Sequence, residues 1–91
     1  MNIEIEAGVT AGIAEDGALT LLSPQGAPYF YAPEASAIWI ALRQSGGDLR
    51  AAAAEVGAAC GTDVAEVRHL MEEQVLDWQR AGLVKVSSAR P

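Results

Sequence analysis

Tyr29, Phe30 and Tyr31 stand in a row, and two residues later Pro33 opens a stretch whose apolar residues recur at helical spacing. Residues 28–39 hold four of the five aromatic residues of the chain. Such a run reads as a β-strand that turns at Pro33 directly into a helix. Successive strand side chains point to opposite faces, so this strand carries large apolar groups on both sides. One face serves the core, and the other needs a helix or a partner to cover it.

The segments before this junction read as strands. Val9, Ala11 and Ile13 alternate with smaller or polar residues, Asp16 and Gly17 offer a turn, and Leu19, Leu21 and Leu22 resume an apolar strand. Ser23, Pro24, Gln25 and Gly26 form a second turn that feeds a third strand over residues 27–32. Ile3 and Ile5 alternate with Glu4 and Glu6, which suggests an extension of the first strand or a frayed terminus.

The segments after it read as helices. Pro33 suits a first helical position, and Glu34 complements the positive end of the helix dipole. Ala35, Ile38, Trp39 and Leu42 make one apolar face until Ser45, Gly46 and Gly47 stop the helix. Asp48 is placed to cap a second helix, thin in bulky residues, with Leu49, Ala52, Ala53 and Val56 inward; Gly57 weakens it and Gly61 ends it. The third helix spans residues 63–81, with Asp63 and Glu66 in a capping-box pattern and Gly82 as its stop. Its stripe comprises Val64, Val67, Leu70, Met71, Gln74, Val75 and Trp78. Leu83 to Val86 reads as a short extended segment, and residues 87–91 as a loose tail.

Strands first and helices after predict an α+β domain in which helices cover one face of a small antiparallel sheet. Ninety-one residues allow one domain. The apolar fraction of 51% is inflated by 18 alanines, so modest stability is expected. The formal net charge of −6 opposes binding to phosphate backbones, which disfavours nucleic acid as a partner. No apolar run reaches the roughly 20 residues of a membrane span, and the first residues lack a signal-peptide pattern. A cytoplasmic chain without membrane partners is the expectation.

Chemistry-bearing constellations are missing: there is no phosphate-binding glycine loop, nucleophile motif or metal-spaced pair of His or Cys, so neither enzyme activity nor a cofactor or metal is expected. Cys60 is alone and reads as a small hydrophobe packed at a helix end. His69 is alone and reads as solvated. Glu72, Glu73 and Asp77 read as a solvated helix face or, more sharply, as an acidic groove for a basic peptide. The aromatic strand, expected at a sheet edge, and the wide stripe on the third helix together suggest a groove into which an extended peptide adds as a strand.

The order Asp16-Gly17, Leu21-Leu22, Gly26, Tyr29-Phe30, Ala32-Pro33, Ala35, Ala37-Ile38-Trp39, Leu42, Gly47, Leu49, Glu66-Val67, Val75 and Ala81-Gly82-Leu83-Val84 resembles the PqqD-like domain, also called the RiPP precursor peptide recognition element. The resemblance covers about residues 8–86 and is nearest to the stand-alone form of lasso-peptide biosynthesis. It implies a winged-helix-like fold, three strands followed by three helices, without catalysis of its own. It implies binding of the leader segment of a ribosomally made precursor peptide between the third strand and third helix, and delivery to a separate enzyme. That enzyme would be a cysteine-protease leader peptidase in a lasso system, or a radical-SAM maturation enzyme as in pyrroloquinoline quinone synthesis. Lasso leaders would offer a tyrosine, a proline and a leucine.

Where the family pattern usually reads Leu-Asn, this chain has Tyr31 and Ala32. Carried over, the peptide-binding residues are Tyr29, Phe30, Tyr31, Val67, Leu70, Met71, Gln74, Val75 and Trp78, while Phe30, Ile38 and Trp39 are also expected to anchor the first helix on the sheet. A winged-helix DNA-binding protein shares the topology but wants a basic recognition helix. The third helix instead carries Asp63, Glu66, Glu72, Glu73 and Asp77 against Arg68 and Arg80.

Overall fold

Two tight hairpins build the sheet that the aromatic strand belongs to. In a computed structural model, which describes residues 2–87, the elements run β1 (Asn2–Ile5), β2 (Thr10–Ile13), β3 (Leu19–Leu22), β4 (Pro28–Tyr31), α1 (Pro33–Gln44), α2 (Leu49–Cys60), α3 (Val64–Arg80) and β5 (Val84–Ser87). Residues 88–91 of the expected tail lie outside the described residues, whereas Ser87 belongs to β5 and pairs with Asn2. Both hairpin loops close in the same way. Ala14 donates to Ala18 across residues 15–17, and Ser23 donates to Ala27 across residues 24–26, each at 2.9 Å. The Asp16 carboxylate accepts from Ala18 N–H, and the buried Ser23 hydroxyl accepts from Gln25 and Ala27, so side chains satisfy the turn backbone.

The result is an antiparallel sheet in the order β2-β3-β4, followed by three helices. The α+β class holds, with one correction to the strands. Ile3 and Ile5 do not extend β2; they lie in β1, which pairs with β5 in a separate two-stranded antiparallel sheet. The chain bends away between the two strands, where Glu6 N–H donates to Leu83 C=O and Gly8 takes a φ of 90°.

Helix boundaries follow their local signals. α1 starts on Pro33 behind Ala32, which has no side chain able to cap it. Asp48 accepts from Ala51 N–H at the start of α2, and Asp63 accepts from Ala65 N–H at the start of α3. α1 and α3 end in the same motif. Gly46 and Gly47 donate to Arg43 and Leu42, as Gly82 and Leu83 donate to Gln79 and Trp78, which satisfies the last carbonyls and turns the chain. In α2, Gly57 is buried beneath the α2–α3 connection. A methyl there would sit 3.1 Å from Val64 and 3.2 Å from the Thr62 carbonyl, so its absence lets α3 start close against α2.

α1 packs on β3 and β4, and α2 lies against both α1 and α3. The core is filled by Leu19 and Leu21 from β3, Trp39 and Leu42 from α1, Leu49, Ala52 and Ala53 from α2, Val67, Met71, Val75 and Trp78 from α3, with Leu83 and Val84 beyond it. Trp78 is fully buried, edge-on to Trp39 at 5.2 Å and to Tyr31 at 6.0 Å. Truncating such a ring to alanine costs about 3–5 kcal/mol, a large part of the stability of a small domain. The Ser36 hydroxyl donates to Gly17 C=O at 2.6 Å and ties α1 to the first hairpin.

The smaller sheet is held at Gly47. Ile3 N–H donates to Gly47 C=O at 2.8 Å, and Gly47 has a φ of 89°. A methyl added there would collide with the Ile3 carbonyl oxygen. We predict that Gly47→Ala lowers stability by about 2 kcal/mol or more through left-handed strain and loss of β1 docking. Thermal unfolding checks this; an unchanged midpoint would contradict the contact.

Candidate functional site

β4 is an edge strand, and its register with β3 decides which of its backbone groups are free. Ser23 and Ala27 form a hydrogen-bonded pair next to the turn, so by antiparallel alternation Leu21–Tyr29 and Leu19–Tyr31 are hydrogen-bonded pairs as well. Pro28 and Phe30 are therefore the non-bonded positions. Their main chains face away from β3, leaving the Phe30 N–H and C=O and the Pro28 C=O on the open edge.

The same alternation sorts the three aromatic side chains. Tyr29 and Tyr31 share the inward face and are half-buried against the core. Phe30 points the other way, in a cross-strand row with Thr20 and Gly12, and is 75% exposed. Phe30 therefore does not anchor α1 on the sheet. Two tyrosines of the strand already fill that face, and one strand residue in two is all it can take.

Beside the strand lies an open groove of about 420 Å³, lined by Tyr31, Glu34, Ile38, Leu70, Glu73, Gln74 and Asp77. One wall is the end of β4 with the first turns of α1; the other is α3. The helical period explains which residues of α3 appear. Val67, Met71, Val75 and Trp78 recur every three or four positions and form a buried seam. Leu70, Glu73, Gln74 and Asp77 repeat at the same spacing one step around the helix, on a shoulder beside that seam. A smaller hollow of about 240 Å³ adjoins it through Glu34, Ile38 and Leu70, with Val67 and Met71 among its lining residues.

Of the nine residues expected at the site, Tyr31, Leu70 and Gln74 line the groove. Met71 and Trp78 are fully buried, and Val75 and Val67 nearly so. Their place is in the core, because α2 and the sheet cover the centre of the stripe and leave only its flank open. Tyr29 lies inward on the same strand, and Phe30 stands outside the groove. Ile38, expected in the core, is half-buried and forms part of the groove lining. Trp39 is buried as expected. Glu73 and Asp77, for which an acidic groove was one of the two readings, line this space, and Glu34, which was not expected here, joins them one helical turn before Ile38. Glu72 lies off the groove and pairs with Arg68 at 3.7 Å.

Cys60 is exposed rather than packed. It sits on the last turn of α2, at the rim of apolar hollows that α1 residues also line. His69 is exposed and lies 3.2 Å from Glu73. Among the described residues no cluster of three or more His, Cys, Asp or Glu side chains is arranged to hold a metal ion, and no helix is long and apolar enough to cross a membrane.

No protein-family model matches the sequence, and no curated protein matches it. Among solved structures, TbiB1 in complex with the TbiA(beta) leader peptide matches with a TM-score of 0.78, over 94% of this chain and 99% of that one. The sequence identity is 18%, so the likeness establishes a shared fold.

Tyr31 reports on the electrostatics of the groove. Its phenol is held above its ordinary value by burial first, then by the negative charge of Asp77 and by Tyr29. A phenol whose pKa is raised by folding holds its proton more tightly in the native protein. Its stabilising contribution is fully present below the unfolded value of about 10 and is lost as pH rises through the folded value. We predict that stability falls above that pH, and that Tyr31→Phe flattens this part of the profile. Chemical unfolding at a series of alkaline pH values tests it; parallel profiles for the two proteins would count against the assignment.

Proposed function

We propose that this chain binds the leader segment of a ribosomally synthesised precursor peptide, in the manner of a RiPP recognition element. The observation that carries the reading is the open edge of β4 beside a groove walled by α3, in a fold shared with a protein whose structure contains a leader peptide. An extended leader adds as a strand to β4. Its backbone pairs with the Phe30 N–H and C=O and the Pro28 C=O, which supplies affinity with little regard to sequence. Alternate side chains turn inward, where Tyr31, Ile38 and Leu70 select apolar residues. The side chains between them lie on the outer face near Phe30.

In this reading the chain performs no chemistry. It fixes the leader and leaves the attached core segment to a separate maturation enzyme in the cytoplasm, where such precursors are made. The partner is a leader peptidase of the cysteine-protease type in a lasso-peptide system, in keeping with the PqqD-like pattern of the sequence. Holding the leader on a rigid edge reduces the entropy that the peptidase would otherwise have to remove from a flexible substrate.

The test is a titration of the leader encoded alongside this chain, followed by fluorescence anisotropy of a labelled peptide. Leu70 is 58% exposed, so Leu70→Glu should leave the fold intact. It should weaken binding by about ten- to a hundredfold, as loss of an interface anchor does. A second pair of variants separates backbone from side chain at the edge. Phe30→Pro removes the outward N–H and should abolish most of the binding, whereas Phe30→Ala should retain much of it. Equal affinities for all four proteins would place the peptide elsewhere. In a reconstituted reaction, leader removal by the partner peptidase should accelerate on adding this chain and not on adding Leu70→Glu; no acceleration would remove the peptidase from the proposal.

A further inference from the structure

The groove carries more negative charge than its own residues neutralise. Glu34 from the first turn of α1 and Glu73 and Asp77 from α3 border the same space, whose apolar lining is Tyr31, Ile38 and Leu70. No lysine or arginine lines it. Among the described residues the ion pairs are Arg68 with Glu72, His69 with Glu73, and Lys85 with Glu6, so Glu34 and Asp77 have no cationic partner. His69 offers Glu73 a charge only when protonated. The field of Asp77 is felt at the Tyr31 phenol, which places that charge at the strand wall as well as on the helix.

A strand added to β4 presents every second side chain to this space, roughly 7 Å apart. One such side chain meets the apolar lining. The next inward one meets carboxylates. An arginine or lysine suits that position, because its methylene stem lies along the Tyr31 and Leu70 surfaces while its charged head reaches the rim. A second copy of this chain is a poor occupant, since each copy has a net charge of −6 and would bring the same carboxylates into opposition.

Building on the leader-binding reading above, we propose that the groove selects its peptide by charge. It takes an extended segment in which an Arg or Lys stands two positions from an apolar residue, both facing inward, and it rejects an acidic residue at that place. Glu34 and Asp77 are the specificity-determining residues.

The test is selection of a displayed library of random dodecapeptides on the wild-type chain and on the double variant Glu34→Gln/Asp77→Asn, each first checked for native circular dichroism. The wild type should enrich peptides with a basic residue two positions from an apolar one. The double variant should enrich the apolar residue without the basic one, and should bind a recovered basic peptide about threefold to tenfold more weakly at low salt, the difference shrinking as salt rises. Enrichment of apolar peptides by the wild type without basic bias overturns the charge selection and leaves the groove reading standing. Recovered peptides that bind Leu70→Ser as tightly as the wild type overturn the groove itself and the charge selection with it. Failure of the wild type to enrich any peptide has the same consequence.

Discussion

Trp78 is where the sheet and two of the helices are made to agree. Its indole belongs to α3, lies edge-on to Trp39 of α1, and lies edge-on to Tyr31 of β4, with no exposure to solvent. In a chain with 18 alanines and only five aromatic residues, few other side chains are large enough to reach across the layers. The perpendicular ring contacts match the positive edge of one ring to the negative face of the next, the favoured arrangement for aromatic pairs. Among the described residues, neither Trp78 nor Trp39 has a hydrogen-bond partner for its indole N–H. The two rings accept that desolvation cost in return for fixing the distance between β4 and α3, which is the width of the groove.

An unpaired sheet edge is ordinarily a hazard, and proteins protect such edges with short strands, prolines and charge. β4 has all three: it is a four-residue strand that begins with Pro28 and lies beside Glu34, Glu73 and Asp77. These features discourage pairing with another copy of the same chain. They do not obstruct a short, positively charged, extended segment. On the proposed reading, protection of the edge and selectivity for its partner come from the same residues.

Much of this fold was legible in the sequence because its signals are local. Asp16 and Gly17, Pro24 and Gly26, Pro33, Asp48, Asp63 and Gly82 mark hairpins, caps and stops whose chemistry is complete within a few residues. The partnership of β1 was not legible, since nothing near Ile3 names a strand more than 80 positions away. The facing of Phe30 failed for a different reason. Alternation dictates that Tyr29 and Tyr31 share a side, but three aromatics in a row leave open which side is inward. The α3 stripe was legible as a wide band. Which members stay open depends on where α2 and β4 lie, and that is tertiary information. Leu70 and Gln74 emerged at the flank, whereas Met71, Val75 and Trp78 were covered.

The pairing of β1 with β5 brings the two ends of the described chain together, Asn2 beside Ser87. Such a contact can form only after nearly the whole chain has been drawn into a loop, so its closure entropy is close to the largest this chain can meet. The hairpins and helices close short loops and need not wait for it. On closure entropy alone, the small sheet is expected to assemble after them. During ribosomal synthesis it cannot form until β5 has left the exit tunnel. The β2-β3-β4 edge and its α3 wall do not include either terminal strand, so the groove can be in place before the chain is fastened end to end.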